Sequence, residues 1–421
     1  MQPGPVGQQG GRHIAMRVLT VVTEAPPIRS GIALTVEQLA GRLEARGHEV
    51  DLISASDVGR VARGEVRLTG LAGHWSGIRE RILAADVVNL HGPAPSFSDA
   101  FLLLWRTIPR ARRPHLVYTH HCEIDLPALG PACRLYDRVH WRLARAASHV
   151  VVSSDSYRRI AEQRGARSVS VVPHGLPETQ APRLPKGPRF TVAFVGQLRP
   201  YKGAEVLLRA AARLPDVAID IVGGGHQEAW LRRLAAELRL DNVRWLGRAA
   251  NAERDRALAR AHVVCLPSLT RAEAFGIVLL EGMRAGAVPV ASDLPGVRDV
   301  AGATGLLCTP GDPRSLVQAL VHLRDAPDDW RHRSWLSKRV SARYQWEQAA
   351  ERYEQIFAGL VGQPAVAGES LLPLRALGRV VSAAAHPELG RVIQLPVLRP
   401  LDAMERATWR ADEPLVAGEA G

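Results

Sequence analysis

"TVAFVGQLRPYKGAEVLLRAA", residues 191–211, contains one full step of a fold. "TVAFVG" runs apolar without alternation, which suits a strand buried on both faces of a parallel sheet. The run stops at Gly196, a short loop brings Arg199 and Lys202, and apolar residues then recur at helical spacing over 204–214. A strand that hands a polar loop to a helix is the repeating unit of doubly wound α/β sheets. Such sheets bind ligands beyond the carboxyl ends of their strands.

The same step recurs on both sides. Downstream come "VAIDIVGGG", the amphipathic "HQEAWLRRLAAELRL", "NVRWLG", a helix over 252–260, "HVVCLPS", a helix from about 275, "VPVAS", "GLLCTP" and a helix over 313–324. Upstream, "MRVLTVV" begins at Met16 and "GIALTVEQLAGRLEARGH" follows with helical spacing. "EVDLIS", a helix near 77–84, "DVVNLHG", a helix near 99–106, "HLVYTHH", a helix across 129–146, "HVVVSS", a helix near 155–164 and "SVSVVP" complete that series. Between the two series lies "PHGLPETQAPRLPKGP", residues 173–188, whose five prolines mark a linker. The expectation is two Rossmann-like, doubly wound parallel-sheet domains, 16–172 and 189–343, facing a cleft. Residues 1–15 read as a flexible leader. The amphipathic stretch 344–361 reads as a helix crossing back to the first domain, and 362–421 as a C-terminal helical extension. Within that extension "LPLRALGRVVSAAA" is a basic amphipathic pattern, suited to packing on its own protein or to a membrane surface.

Composition narrows the function. The 421 residues carry a formal net charge of +12, which admits nucleic acid, membranes or anionic substrates as partners. The cations are spread rather than bunched, and lysine occurs only at 186, 202 and 338. A nucleic-acid binder needs clustered cations with interleaved aromatics, and aromatics are only 5%. The cysteines at 122, 133, 265 and 308 lack CxxC spacing and read as reduced thiols of a cytoplasmic protein. No apolar stretch reaches membrane-spanning length, and "MQPGPVGQQGGRHIA" lacks a secretory apolar core. The placement expected is cytoplasmic, at most peripheral at an inner membrane surface.

Four stretches could carry chemistry. "LTRAEAFGIVLLEGMRAG", residues 269–286, holds Glu273 and Glu281. Eight residues of helix rotate about 80° beyond two turns, so one continuous helix would not present both on one face. A loop carrying Glu273, a helix starting near Phe275–Gly276 and Glu281 inside it would gather two carboxylates around free N–H groups. That set suits a polyhydroxylated ligand bearing phosphate. The plainer alternative is a surface glutamate plus a core-edge glutamate paired with an arginine. Arg199 and Lys202, beyond Gly196 and beside a helix N-terminus, make a diphosphate site or two solvated loop cations. His120 and His121 in "YTHHCEID" could bond sugar hydroxyls or sit buried on backbone. Gly31 opens a helix, and Gly224 lies in "VGGGH"; both suit close approach of backbone to a ligand. No GxGxxG, Walker loop or GxSxG elbow occurs, and no His or Cys stands at zinc-ligand spacing.

Together these stretches resemble the retaining glycosyltransferases of family 4, over roughly residues 16–360. The signature is the E-x7-E of "EAFGIVLLEGMRAGAVPVAS". It is supported by "GQLRPYKG", "VVPHG", "IVGGG", "GLLCTPGDPRSL" and "ARGHEV". The resemblance implies the GT-B arrangement and transfer of a sugar from a nucleotide-sugar to a hydroxyl acceptor (a glycan, a lipid-linked sugar or a small molecule). By that resemblance Glu281 would hold ribose hydroxyls, Glu273 hydroxyls of the donor sugar, and Arg199 and Lys202 the diphosphate. The backbone at Phe275–Gly276 would lie by phosphate and sugar. His121, rather than His120, would stand near the anomeric centre. Where the family often shows two glycines in the first loop, this chain has Ser30–Gly31. No aspartate-x-aspartate motif appears, so two protein cations would replace a divalent metal, and no cofactor is expected. Competing readings are a nucleotide-sugar epimerase of similar architecture and a non-catalytic nucleotide-sugar-binding protein. The acceptor would be shaped around Gly31, His91–Pro93 and 120–126, and a basic surface would suit a membrane-facing acceptor.

Overall fold

The first lobe is a six-stranded parallel sheet with helices on both faces. Its elements are β1 (Arg17–Val22), α1 (Gly31–Ala45), β2 (Glu49–Ser54), a hairpin of β3 (Arg60–Arg63) and β4 (Val66–Thr69), α2 (Trp75–Ala84) and β5 (Val87–Gly92). They continue with α3 (Ser98–Trp105), β6 (His115–His120), α4 (Gly130–Ala144), β7 (His149–Val152), α5 (Asp155–Gln163) and β8 (Val169–Val171). Strand order is β2-β1-β5-β6-β7-β8, so the chain reverses direction between β1 and β5. The computed structural model describes residues 15–363 except 29, 64–65, 70, 95, 126–129 and 179–180; the expected leader and C-terminal extension lie outside the described residues, apart from 15, 362 and 363.

The second lobe repeats the design. It runs β9 (Thr191–Val195), α6 (Ala204–Ala211), β10 (Ala218–Val222), α7 (Glu228–Glu237), β11 (Val243–Gly247), α8 (Asn251–Arg260) and β12 (Val263–Leu266). Then follow α9 (Ile277–Arg284), β13 (Val288–Ser292), α10 (Val297–Ala301), β14 (Leu306–Cys308), α11 (Pro313–Asp325), α12 (Pro327–Ser341) and α13 (Trp346–Leu360). Strand order is β11-β10-β9-β12-β13-β14, with the reversal between β9 and β12. Every residue of β5, β9 and β13 is buried, as strands covered on both faces require, and in β5 that burial includes the polar Asn89 and His91.

The β3–β4 hairpin, the five-residue α10 and α12 escaped the periodicity reading. The sequence of α12, "PDDWRHRSWLSKRVS", is rich in charge. Its buried positions are Ser334, Ser337 and Ser341. Ser334 donates to the Gly286 carbonyl (2.7 Å) and Ser337 to Thr304 (2.9 Å). A helix that docks through small hydroxyls shows no apolar stripe.

α13 leaves the second lobe and packs on the first. Trp346, Ala349, Ala350, Tyr353, Ile356 and Phe357 share one buried cluster with Met16, Val18, Leu39, Leu43, Val87 and Val117. Burying each large side chain contributes about 1.5–3 kcal/mol. The two crossings between lobes also touch, because Leu176 N–H donates to the Tyr344 carbonyl (2.9 Å). A Cβ on Gly175 would stand 2.1 Å from Trp346 N, so only glycine lets them meet.

Candidate active site

The two strand-end loops of the second lobe, after β9 and after β12, flank its topological switch point. Leu269 N–H donates to the Tyr201 carbonyl (2.7 Å). Gly203 sits at φ 69°, and a Cβ there would lie 1.9 Å from the Pro267 carbonyl oxygen. The close approach brings the Lys202 ammonium onto the Glu273 carboxylate as a hydrogen-bonded ion pair, with side chains 17% and 10% exposed. Burial works against the charged Lys202, but Glu273 outweighs it, and the pKa is held above lysine's ordinary value. Arg199 precedes the short 3-10 turn Pro200–Lys202. It makes no ion pair among the described residues, and its charge opposes that of Lys202.

Glu273 lies on the loop and α9 starts at Ile277, with Gly276 as N-cap at φ 77° and no side chain capping it. Leu279 N–H turns back to the Gly276 carbonyl (2.8 Å), which leaves the N–H groups of Ile277 and Val278 open to an anion. Phe275 is itself core, 4% exposed. Glu281 sits inside α9, 3.4 Å from Arg254 of α8. Burial raises its pKa, and Arg254 partly offsets that. The structure joins Lys202 and Glu273 directly. It does not join Glu281 to either cation; the arginine-paired alternative describes its contacts.

The glycines divide into two kinds. A Cβ on Gly223 would lie 1.9 Å from the Gly196 carbonyl oxygen, and one on Gly225 would lie 2.5 Å from that of Leu198. Those two answer to the protein's own backbone, since Gly196 N–H donates to Val222 and Leu198 N–H to Gly224. Gly224 would meet only the flexible Arg248 side chain, and Gly31 meets nothing within 4 Å. No protein atom requires glycine at 31. Ser30, standing where a second glycine is common, caps α1 by accepting from Ala33 N–H (3.1 Å).

Opposite, the first lobe offers histidines. His120 points into the core, packed on Trp141 with ring centroids 4.8 Å apart, and burial takes its pKa down to about 3. His121 faces the other way. Its Nε2 is 2.8 Å from His91 Nδ1, and its ring stacks on His174, which meets Phe275 of the second lobe edge-on at 4.8 Å. Burial, with His91 and His174 nearby, lowers the His121 pKa. His121 is thus the neutral imidazole at the lobe boundary.

Sequence reasoning placed Glu123 and Asp125 only within a stretch expected to shape the acceptor, and gave Arg271 and Tyr157 no role. Arg271 donates to Glu123 (2.7 Å), its backbone N–H donates to Asp125 (3.2 Å), and Tyr157 donates to its carbonyl (3.2 Å). This ties the two lobes together at the edge of the glutamate loop. Glu123 was visible in "HHCEID", but nothing in spacing connects it to a residue 148 positions away. Among the described residues no three His, Cys, Asp or Glu side chains gather to hold a metal ion. No described helix is long and apolar enough to cross a membrane.

The chain's likenesses agree with this geometry. Residues 29–180 match the model of Glycosyltransferase Family 4, and residues 177–338 that of Glycosyl transferases group 1. A D-rhamnosyltransferase of Pseudomonas aeruginosa is 31% identical over 66% of this chain and 71% of its own length. A phosphatidyl-myo-inositol mannosyltransferase of Mycolicibacterium smegmatis is 30% identical over 82% of this chain and 95% of its own. The fold is shared with Anabaena HepE in complex with UDP (TM-score 0.63, 19% identity, 82% of this chain and 100% of that one). It is also shared with a sucrose-phosphate synthase of Thermosynechococcus elongatus (0.65, 19%, 82% and 99%). Two Rossmann-like lobes with this loop pair between them define a GT-B glycosyltransferase. The chain belongs to glycosyltransferase family 4.

Proposed function

We propose that the enzyme moves a sugar from a nucleoside-diphosphate sugar to a hydroxyl acceptor with retention of anomeric configuration and without a metal ion. The observation that carries this reading is the Lys202–Glu273 pair, set beside Arg199 and the uncapped start of α9. Breaking the sugar–phosphate bond builds negative charge on the diphosphate. Lys202, Arg199 and the α9 N–H groups would meet it, and preorganised donors of this kind contribute about 2.7–4 kcal/mol each. Glu273 would then exchange part of its bond to Lys202 for sugar hydroxyls, and Glu281 would take ribose hydroxyls beside Arg254. Retention suits a site where the departing phosphate takes the acceptor proton on the same face.

The relatives named for rhamnosyl and mannosyl transfer favour a manno-configured hexose, and those named for phosphatidyl-myo-inositol favour a lipid-linked acceptor. The exposed face of α4 supports a membrane-side position. Leu135 and Val139 are 61% and 52% exposed among Arg134, Arg138, Arg142 and Arg145. Asp137, the one acid of α4, is turned to Arg164 (2.5 Å). A bilayer of anionic lipid would meet both the charge and the apolar side chains.

The test is incubation with nucleotide-sugars and a polyprenyl- or inositol-lipid acceptor, with and without EDTA. The reading expects a glycolipid whose one-bond C1–H1 coupling marks the same anomeric configuration as the donor's, formed equally in EDTA. An inverted product, or loss in EDTA rescued by magnesium or manganese, contradicts the stereochemical or the metal-free part. Isomerised donor without acceptor would make it an epimerase.

A further inference from the structure

A line of buried polar groups runs from α13 to His121. Tyr353 hydroxyl lies 3.1 Å from Thr119 Oγ1, and Thr119 donates to Asn89 Oδ1 at 2.8 Å. Asn89 Nδ2 lies 3.0 Å from His91 Nε2, and His91 Nδ1 lies 2.8 Å from His121 Nε2. Tyr353, Thr119, Asn89 and His91 are each 4% exposed or less.

The line can be read in two directions, and only one satisfies its far end. Among the described residues Thr119 is the sole hydrogen-bond partner of the Tyr353 hydroxyl. A buried phenol proton needs an acceptor, so Tyr353 donates to Thr119, and Thr119 must spend its own proton on Asn89 Oδ1. Asn89 then turns its amide N–H to His91 Nε2. His91 carries its proton on Nδ1 and donates to His121 Nε2. The reverse order would leave the Tyr353 proton buried with no acceptor. The neutral state of His91, with burial taking its pKa down to about 3, fits a ring that both accepts and donates.

We propose that Tyr353, Thr119, Asn89 and His91 fix His121 as the Nδ1–H tautomer, so that it presents a hydrogen-bond donor to the substrate and cannot act as a base. His121 Nδ1 has no hydrogen-bond partner among the described residues, so an oxygen of the bound sugar or acceptor would take that proton. These four are positioning residues. A helix at the end of the second lobe thereby sets the polarity of a histidine in the first. The use of the donated bond rests on the transfer reading above, whereas the tautomer needs no substrate.

The experiment records two-bond 15N–1H correlations on the full-length chain labelled in histidine, with the His121 signals identified by their loss in His121→Gln. The wild type should show a protonated Nδ1 and a bare Nε2. Asn89→Asp offers His91 only acceptors, so His91 should move its proton to Nε2 and His121 should invert to the Nε2–H form. Turnover should fall at least about tenfold, with KM for the donor nearly unchanged. Tyr353→Phe keeps the ring in the core and removes the directing proton; it should give averaged signals of both tautomers. A wild-type His121 protonated on Nε2, or signals unmoved in both folded variants, overturns the proposal. Inversion without loss of turnover would keep the relay and remove its role in transfer.

Discussion

Lys202 and Arg199 are two cations with opposite circumstances. Lys202 is paired with Glu273, whose side chain is 10% exposed, while Arg199 has no ion pair among the described residues. Both substitutions to alanine should lower turnover at least about tenfold, the loss expected for a donor aimed at developing charge. Their stabilities should differ. Lys202→Ala strands a buried carboxylate and should lose about 1–3 kcal/mol, whereas Arg199→Ala should melt like the wild type. Urea unfolding of both variants checks the contrast, and equal stabilities would mean that the Lys202–Glu273 pair does not persist in solution. The pH sign follows from the raised pKa of Lys202. Its stabilising pair is fully present below lysine's ordinary value of about 10.4 and is lost only as pH rises through the higher folded value. Turnover that depends on it should therefore stay level from neutrality to about pH 10 on this account.

Elements place these residues, and the loop after β9 is where the sequence was most legible. Unbroken apolar strands, a glycine at the strand end and cations before the helix were all readable in residues 191–211, as was the E-x7-E spacing. What could not be read was which glycines serve the fold. Gly203, at φ 69° with the Pro267 carbonyl 1.9 Å from any Cβ, is structural. Gly31, with 4 Å of open space, is not. Gly203→Ala should therefore destabilise by more than about 1 kcal/mol and also lower turnover, by separating the loops that join Lys202 to Glu273. Gly31→Ala should leave the melting temperature unchanged and weaken only substrate binding or turnover. If Gly31→Ala is fully active, no ligand approaches that turn. α12 and the Arg271–Glu123 contact were illegible for a common reason. Serine-faced packing leaves no periodic apolar signal, and a contact between lobes leaves no trace in local spacing.

At the scale of the whole molecule, the linker and α13 cross between the lobes, and the Arg271–Glu123 pair ties them at the edge of the glutamate loop. Arg271→Ala leaves a 7% exposed carboxylate alone at the interface and should open the cleft, raising KM more than it lowers kcat; Glu123→Arg with Arg271→Glu should restore part of the loss. Small-angle scattering that shows no change in Arg271→Ala would deny the pair a role in closure. Acid should act on the same boundary. Burial takes His91 and His120 to about 3 and His174 to about 4, so each is neutral when folded and takes up a proton on unfolding below about pH 6.5. The unfolded chain binds more protons there, so stability rises with pH across that window and falls as pH drops from about 6.5 toward 4. Melting temperatures flat across that range would contradict the buried neutral histidines.

The central claim is that the second lobe grips an activated sugar through Lys202 and Glu273. Its most direct measurement is isothermal titration of the wild type and of Lys202→Ala with UDP- and GDP-hexoses and the free diphosphates. The account predicts that one nucleotide series binds the wild type, and that Lys202→Ala weakens it at least about tenfold for the diphosphate yet hardly changes binding of the matching nucleoside, which lacks phosphate. Equal affinity of both proteins for the diphosphate, or no binding by any nucleotide, would contradict it.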